Sequence, residues 1–308
     1  MQTAYLFPGQ GSQAVGMGLA LAQRYPVARE TFAEADAVLG FPLSRLCFEG
    51  PAETLTATHN AQPAILTTSI AALRVLAAER PDLPAAAVLA GHSLGEYSAL
   101  VAAGSLTFAD GLRLTRARGE LMAQAGELHP GSMAAILRLD DAQVAALCAQ
   151  AATESGAAVQ VANYNSPGQV VISGSPAGVA AATALAKAAG GRVMPLAVSI
   201  AAHSDLMLPA VEPFARRVAA TPIAPPQTPV IGNVRGLPLT TVEEIREELV
   251  AQLTASVRWT AAIAAMVKAG ITRFIEIGPG AVLTGLVKRI APQVETVNVG
   301  TPEDVTKA

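Results

Sequence analysis

Ala86-Ala87-Val88-Leu89-Ala90-Gly91-His92-Ser93-Leu94-Gly95 is the stretch from which the fold can be read. Residues 86–90 form an apolar run with the length of a buried strand. Gly91 allows a sharp bend, and residues 94–103 have the pattern of a helix. A buried strand that feeds a glycine turn and then a helix is the repeating unit of a parallel α/β sheet. The unit recurs at both ends of the chain. Residues 4–7 predict a strand running into Pro8-Gly9, and residues 273–277 predict one ending in Gly278-Pro279-Gly280, followed by a helix at 281–290 and a last strand at 296–299. Helices are expected at 17–23, 27–39 and 61–77. The glycine turns then lie at the carboxyl ends of strands, where open α/β sheets place their ligands.

Between these parts the rhythm changes. Strands are expected at 133–138, 158–162, 170–173 and 193–196, with helices at 141–152 and 176–189. The order βαββαβ is that of a ferredoxin-like unit. The expected division is therefore a large α/β body from residues 1–126 and 197–308, with a small inserted subdomain at 127–196.

Composition narrows the function classes. The 308 residues carry 21 Lys and Arg against 24 Asp and Glu, are 51% hydrophobic and only 15% charged. That excludes a disordered tail and a basic nucleic-acid module, which need low hydrophobicity or an excess of cations. Charge, Gly or Pro interrupts every apolar stretch before the ~18 residues of a membrane span. The apolar start of the chain is too short for an export signal. Cys47 and Cys148 are far apart in apolar helical contexts and read as small buried hydrophobes, which suits the reducing cytoplasm. No histidine pair has metal-ligand spacing, so no metal is expected.

Ser93 carries the sharpest chemical signal. On a tight strand-to-helix turn its hydroxyl projects from the sheet edge, and the backbone N–H of Leu94 becomes an oxyanion donor. The competing reading is a serine capping the helix, and the strand before it favours the nucleophile. A serine hydroxyl needs a base. His92 is too close in sequence to point at its neighbour and is expected to pack or hydrogen-bond nearby. His59 and His129 read as surface residues. His203 remains, either as the base or as a satisfied core histidine. Gly9-Gln10-Gly11-Ser12-Gln13-Ala14 loosely matches a dinucleotide-binding loop, but two helices follow it where a strand with an acidic residue is required. A nicotinamide cofactor is rejected. The loop is expected instead to supply a second oxyanion donor.

Phe7-Pro8-Gly9-Gln10-Gly11-Ser12-Gln13, Gln62-Pro63-Ala64, Gly91-His92-Ser93-Leu94-Gly95-Glu96-Tyr97, Arg118-Gly119, Asn163-Tyr164-Asn165-Ser166-Pro167-Gly168-Gln169, His203-Ser204 and Gly278-Pro279-Gly280 together resemble the malonyl-CoA:acyl carrier protein transacylases of bacterial fatty acid synthesis. The seven motifs stand in order over nearly the whole chain. The resemblance implies an α/β-hydrolase-like body with an inserted ferredoxin-like subdomain. It makes Ser93 the nucleophile, His203 its base, and the N–H groups of Gln10 and Leu94 the oxyanion hole. It gives Arg118, otherwise readable as a solvated helix charge beside Arg113 and Arg116, the role of pairing with the malonyl carboxylate. Gln252 falls where the family orients its histidine with a backbone carbonyl, and Gln62 and Asn163 fall where it lines the pocket. The implied reaction is a ping-pong transfer from the coenzyme A thioester to an acyl carrier protein, without cofactor, nucleic acid or membrane. An acidic carrier protein would meet exposed cations, with Lys187, Arg192, Lys288 and Arg289 as candidates.

Two features leave room around that reading. Ile200-Ala201-Ala202 before the histidine departs from the family, and small side chains there could admit a methyl branch. A serine hydrolase would order its triad Ser, acid, His. Asp140 and Asp141 lie between Ser93 and His203, but they read as the start of a helix of the inserted unit.

Overall fold

The computed structural model describes residues 2–196, 198 and 200–308. Ala197, where the second part of the large body is expected to begin, and Ser199 lie outside the described residues. Ten strands occur among the described residues: β1 Gln2–Phe7, β2 Val88–Gly91, β3 Ser132–Leu137, β4 Val159–Ser166, β5 Gln169–Gly174, β6 Arg192–Pro195, β7 Val230–Ile231, β8 Pro238–Leu239, β9 Ile271–Ile277 and β10 Glu295–Val299.

Six of them form one sheet in the order β10-β9-β1-β2-β7-β8, parallel throughout except for β8, which turns back against β7. Both faces are covered, as a parallel sheet requires. Alternation along the strands sends Phe7, Leu89, Ile275 and Ile277 into the larger core and Leu6, Val88, Ala90 and Phe274 into the opposite one. The helix Thr58–Glu79 lies in the larger core. It is long and apolar enough to cross a membrane, but 78% of its apolar window is buried inside the protein.

The other four strands form an antiparallel sheet in the order β4-β5-β3-β6, covered by helices Asp141–Ser155 and Pro176–Ala188. This is the ferredoxin-like arrangement, with its own core around Ile136, Val161 and Ile172. Asp140 caps the first of these helices, its carboxylate accepting from Gln143 N–H at 2.7 Å while Gln143 reaches back to Asp140 N–H. That is a capping box, and it accounts for Asp140 as the start of a helix.

Several element bounds differ from expectation. β2 begins at Val88 and extends through Gly91, although Ala87 N–H already donates to Thr3 O at 2.8 Å. The first helix starts at Leu19, because Gly18 holds a left-handed turn before it. The helix Phe108–Leu128 runs past the boundary expected at 126/127. The sequence reading assigns no element between His203 and Arg273. The structure places helices Leu208–Ala220, Val242–Ala251 and Trp259–Lys268 there, along with the short β7–β8 pair.

Candidate active site

Ser93 occupies the turn between β2 and the helix Gly95–Ala102, with φ +50°. L-residues enter this left-handed region only when their surroundings impose it. Two glycines let the chain turn so tightly. A Cβ on Gly91 would overlap the Gly95 backbone, and one on Gly95 would overlap the Phe7 carbonyl.

His203 lies 110 residues further on, in a loop fastened by its own N–H to Leu253 O at 3.1 Å. Its Nδ1 stands 2.8 Å from the backbone carbonyl of Gln252. A carbonyl only accepts, so Nδ1 carries the hydrogen and Nε2 is the acceptor. Nε2 stands 2.8 Å from Ser93 Oγ, which therefore donates to it. Burial, and secondarily the Arg118 guanidinium, pushes the His203 pKa from its ordinary 6.5 down to about 3. The imidazole is held neutral, as a proton acceptor must be.

Arg118 projects from the Phe108–Leu128 helix and is only 2% exposed. Nη1 donates to Gln62 Oε1 at 2.8 Å, while Nη2 donates to Gln252 Oε1 at 2.9 Å and reaches Ser93 Oγ at 3.4 Å. The Tyr97 ring lies 5.6 Å from the guanidinium carbon. Burial lowers the Arg118 pKa, but a guanidinium keeps its charge in proteins. No carboxylate among the described residues forms an ion pair with it. The reading of a solvated helix charge fits Arg113, which is exposed and paired with Asp110, and does not fit Arg118. A buried cation held by two neutral amides is a site prepared for an anion.

Gln252 ties these parts together. Its backbone carbonyl orients His203, its Oε1 holds Arg118, and its Nε2 donates to Ser93 O at 3.1 Å. Gln62 is fully buried and stands behind the guanidinium, where its Nε2 donates to Thr58 Oγ1 at 3.0 Å. It is expected on the pocket wall and is not among the residues that line the cavity. A contact to a buried guanidinium sits beneath the surface that substrate would touch.

These groups open onto a cavity of about 510 Å³ between the two sheets. Ser93, His203, Arg118, Gln10 and Asn163 are among its walls, with Met122, Met133, Val171, Ile200 and Ala202 forming an apolar side. Gln10 is exposed, and Leu94 is buried with its side chain in the core. Neither N–H meets an acceptor among the described residues. His92 packs as expected: Nε2 lies 2.8 Å from Asn165 Oδ1 and the ring rests edge-on against Trp259. His59 is half-buried in the first turn of the Thr58–Glu79 helix, and His129 is exposed. Cys47 and Cys148 are free and buried, which raises both thiols to about 12.

Sequence reasoning missed the layer behind Ser93. Asn233 Oδ1 accepts from Ser93 N–H at 2.7 Å, and Asn233 Nδ2 donates to Gly91 O at 2.8 Å and to Glu96 Oε2. Glu96 is fully buried, and burial together with the carboxyl of Glu248 raises its pKa well above the usual carboxylate range. Glu96 stands inside a motif read for its serine. Nothing local to Gly232-Asn233-Val234 marks Asn233.

The chain matches the acyl transferase domain family over residues 4–301. It is 48% identical to the malonyl CoA-acyl carrier protein transacylase of Bacillus subtilis (strain 168), covering 99% of this chain and 95% of that one. It is 46% identical to the enzyme of the same name from Escherichia coli (strain K12), over 100% and 98%. Among solved structures it is similar to an acyl carrier protein S-malonyltransferase from Vibrio cholerae, with a TM-score of 0.95 and 45% identity over 100% of this chain and 99% of that one. It is also similar to a malonyl-transacylase in complex with a type II PKS acyl-carrier protein, with a TM-score of 0.95 and 42% identity over the same shares.

Proposed function

This chain belongs to the acyl transferase domain family, among the malonyl-CoA:acyl carrier protein transacylases, and we propose from that membership how its own residues carry the reaction. The enzyme is an S-malonyltransferase that moves the malonyl group from malonyl-CoA to the phosphopantetheine thiol of acyl carrier protein. Ser93 Oγ gives its proton to His203 Nε2 and attacks the thioester carbonyl. The Gln10 and Leu94 N–H groups receive the oxyanion. As the carbonyl re-forms, the C–S bond breaks and the His203 proton goes to the departing coenzyme A sulfur. The carrier protein's thiol then gives a proton back to His203 and takes the malonyl group from Ser93 by the reverse steps.

Arg118 has a second effect beyond gripping the carboxylate. Its charge is one reason the site disfavours a proton on His203. A malonyl carboxylate paired with it offsets that charge, so the correct substrate strengthens its own base. An acetyl group cannot. Selectivity then resides in the rate of acylation as well as in binding. Asn163 completes the pocket wall. The cycle uses only groups of this chain, and we assign it no cofactor. We take 127–196 as the smaller unit and 1–126 with 197–308 as the body, and we place the protein in the cytoplasm supplying fatty acid synthesis.

The observation that carries this reading is the hydroxyl of Ser93 lying 2.8 Å from a neutral imidazole and 3.4 Å from a buried guanidinium held only by neutral amides among the described residues. Intact-mass spectrometry after mixing with malonyl-, methylmalonyl- and acetyl-CoA tests it. The parent should gain one malonyl group, Ser93→Ala none, and Arg118→Ala should lose the preference for malonyl over acetyl. Malonylated Ser93→Ala removes the nucleophile from the scheme, and an unchanged preference in Arg118→Ala removes the clamp.

A further inference from the structure

Asn233 contributes no atom to the cavity wall, yet its side chain spans the Ser93 turn. Oδ1 accepts from Ser93 N–H at 2.7 Å, and Nδ2 donates to the Gly91 carbonyl at 2.8 Å. Nδ2 and the Asn233 backbone N–H, the latter at 2.9 Å, both donate to Glu96 Oε2. The Asn233 carbonyl accepts from Arg258 N–H at 2.8 Å. The partners permit only one amide orientation, because a flip would set two donors against each other at Ser93 and two acceptors at Gly91.

We propose that Asn233, clamped by the Glu96 carboxyl, is a positioning residue for acyl transfer: it holds the Ser93 backbone in its left-handed conformation and occupies the Ser93 N–H. The proposal rests on Ser93 being the acylated residue. Two consequences follow from the geometry. The hydroxyl direction is set by a backbone that relaxes away from φ +50° when the amide bridge is removed, taking Oγ off the line to His203. With the Ser93 N–H engaged, the oxyanion is left to the N–H groups of Leu94 and Gln10.

Substitution by aspartate separates positioning from support. An ionised carboxylate at 233 accepts from Ser93 N–H but meets the Gly91 carbonyl and the Glu96 carboxyl as a third acceptor. A protonated carboxyl restores one donor and one acceptor in nearly the same place. The titratable groups around the position are Glu96 from helix Gly95–Ala102 and Glu248 from helix Val242–Ala251, whose Oε1 accepts from Val234 N–H at 2.6 Å. Arg118 acts on Glu96 and Arg235 on Glu248, each in the direction that lowers the carboxyl. The burial that raises Glu96 and Glu248 favours the protonated aspartic acid as well.

Single-turnover malonylation by malonyl-CoA is measured for the parent and Asn233→Asp at about pH 8 and about pH 6, with the folded fraction followed by near-UV circular dichroism. The dissociation constant of malonyl-CoA is measured in Ser93→Ala with and without Asn233→Asp. The variant should be slower by about tenfold or more at the higher pH, the deficit should shrink at the lower pH, and the dissociation constant should not change. A parental rate at the higher pH, a deficit that does not change with pH, or a loss matched by weaker binding overturns the proposal. If Asn233→Asp does not fold, Asn233→Ser, neutral and too short to span the turn, must show the same loss of rate at unchanged affinity, or the proposal fails. Malonylation persisting in Ser93→Ala would instead overturn the underlying reading, whatever the Asn233 variants do.

Discussion

A neutral imidazole buried at 3% exposure makes His203, the proposed base, a liability in acid. The unfolded chain takes up a proton on this residue below about pH 6.5, whereas the folded protein accepts it only near 3. The unfolded state therefore binds more protons across that window, so the His203 contribution to stability is complete above about 6.5 and is lost as the pH falls towards 3. Burial moves His92 in the same direction. Glu96, Glu248 and Glu276, whose carboxyls are raised by burial, act in the opposite sense. A variant is therefore needed to isolate the histidine. Urea midpoints from about pH 7.5 to about pH 5 should fall less steeply for His203→Gln than for the parent. Parallel slopes would mean that the imidazole is not buried neutral.

The turn between β2 and the helix Gly95–Ala102 concentrates the chemistry because two backbones touch where a side chain would normally keep them apart. Gly95 lies against the Phe7 carbonyl at the end of β1. Gly95→Ala places a methyl group inside that contact, and overpacking of this kind costs about 1–3 kcal/mol. A urea-unfolding experiment should find that loss, with malonylation slowed as well, because any shift of the helix drags Leu94 and Ser93. Unaltered stability and rate would show that the close approach is not needed. The turn was legible in the sequence because all of its requirements are local: an apolar run, glycines at the bend, and a helical pattern after it. The same holds for the Asp140 capping box.

Across the molecule, the small sheet is bound to the body beside the loop that carries His203. Tyr164 N–H donates to Val257 O at 2.9 Å and Val257 N–H donates to Ala162 O at 2.8 Å, while Gln160 Nε2 reaches the carbonyls of His203 and Thr254. The cavity thus has walls from both sheets. Val282, Leu283 and Leu286, also among its walls, come from the helix Val282–Ile290, whose last turn carries exposed Lys288 and Arg289. Lys187 and Arg192 are exposed on the small subdomain. Arg289 already donates to Gln169 on the facing wall, which leaves Lys288 the cleaner probe. Lys288→Glu should lower kcat/KM for an acidic carrier protein by about tenfold while acylation by malonyl-CoA is little changed, since surface charge acts mainly on encounter. Equal losses in both half-reactions would place the carrier protein elsewhere.

Patterns of neighbouring residues were sufficient for the α/β class and the inserted βαββαβ unit, and for singling out Ser93 as a candidate, because strand, turn and helix propensities act over a few positions. The sequence left His203 open between base and core histidine; its 2.8 Å distance to Ser93 supports the proposed base, and the role proposed for Arg118 comes only from the family resemblance. The buried anchoring of Arg118 by Gln62 and Gln252, and the hold of Asn233 and Glu96 on the Ser93 turn, join residues 56 to 142 positions apart in the chain. Such contacts exist only after the sheet has assembled, when desolvation leaves each buried polar group dependent on a partner from a distant segment. For that reason the tertiary structure alone decided them.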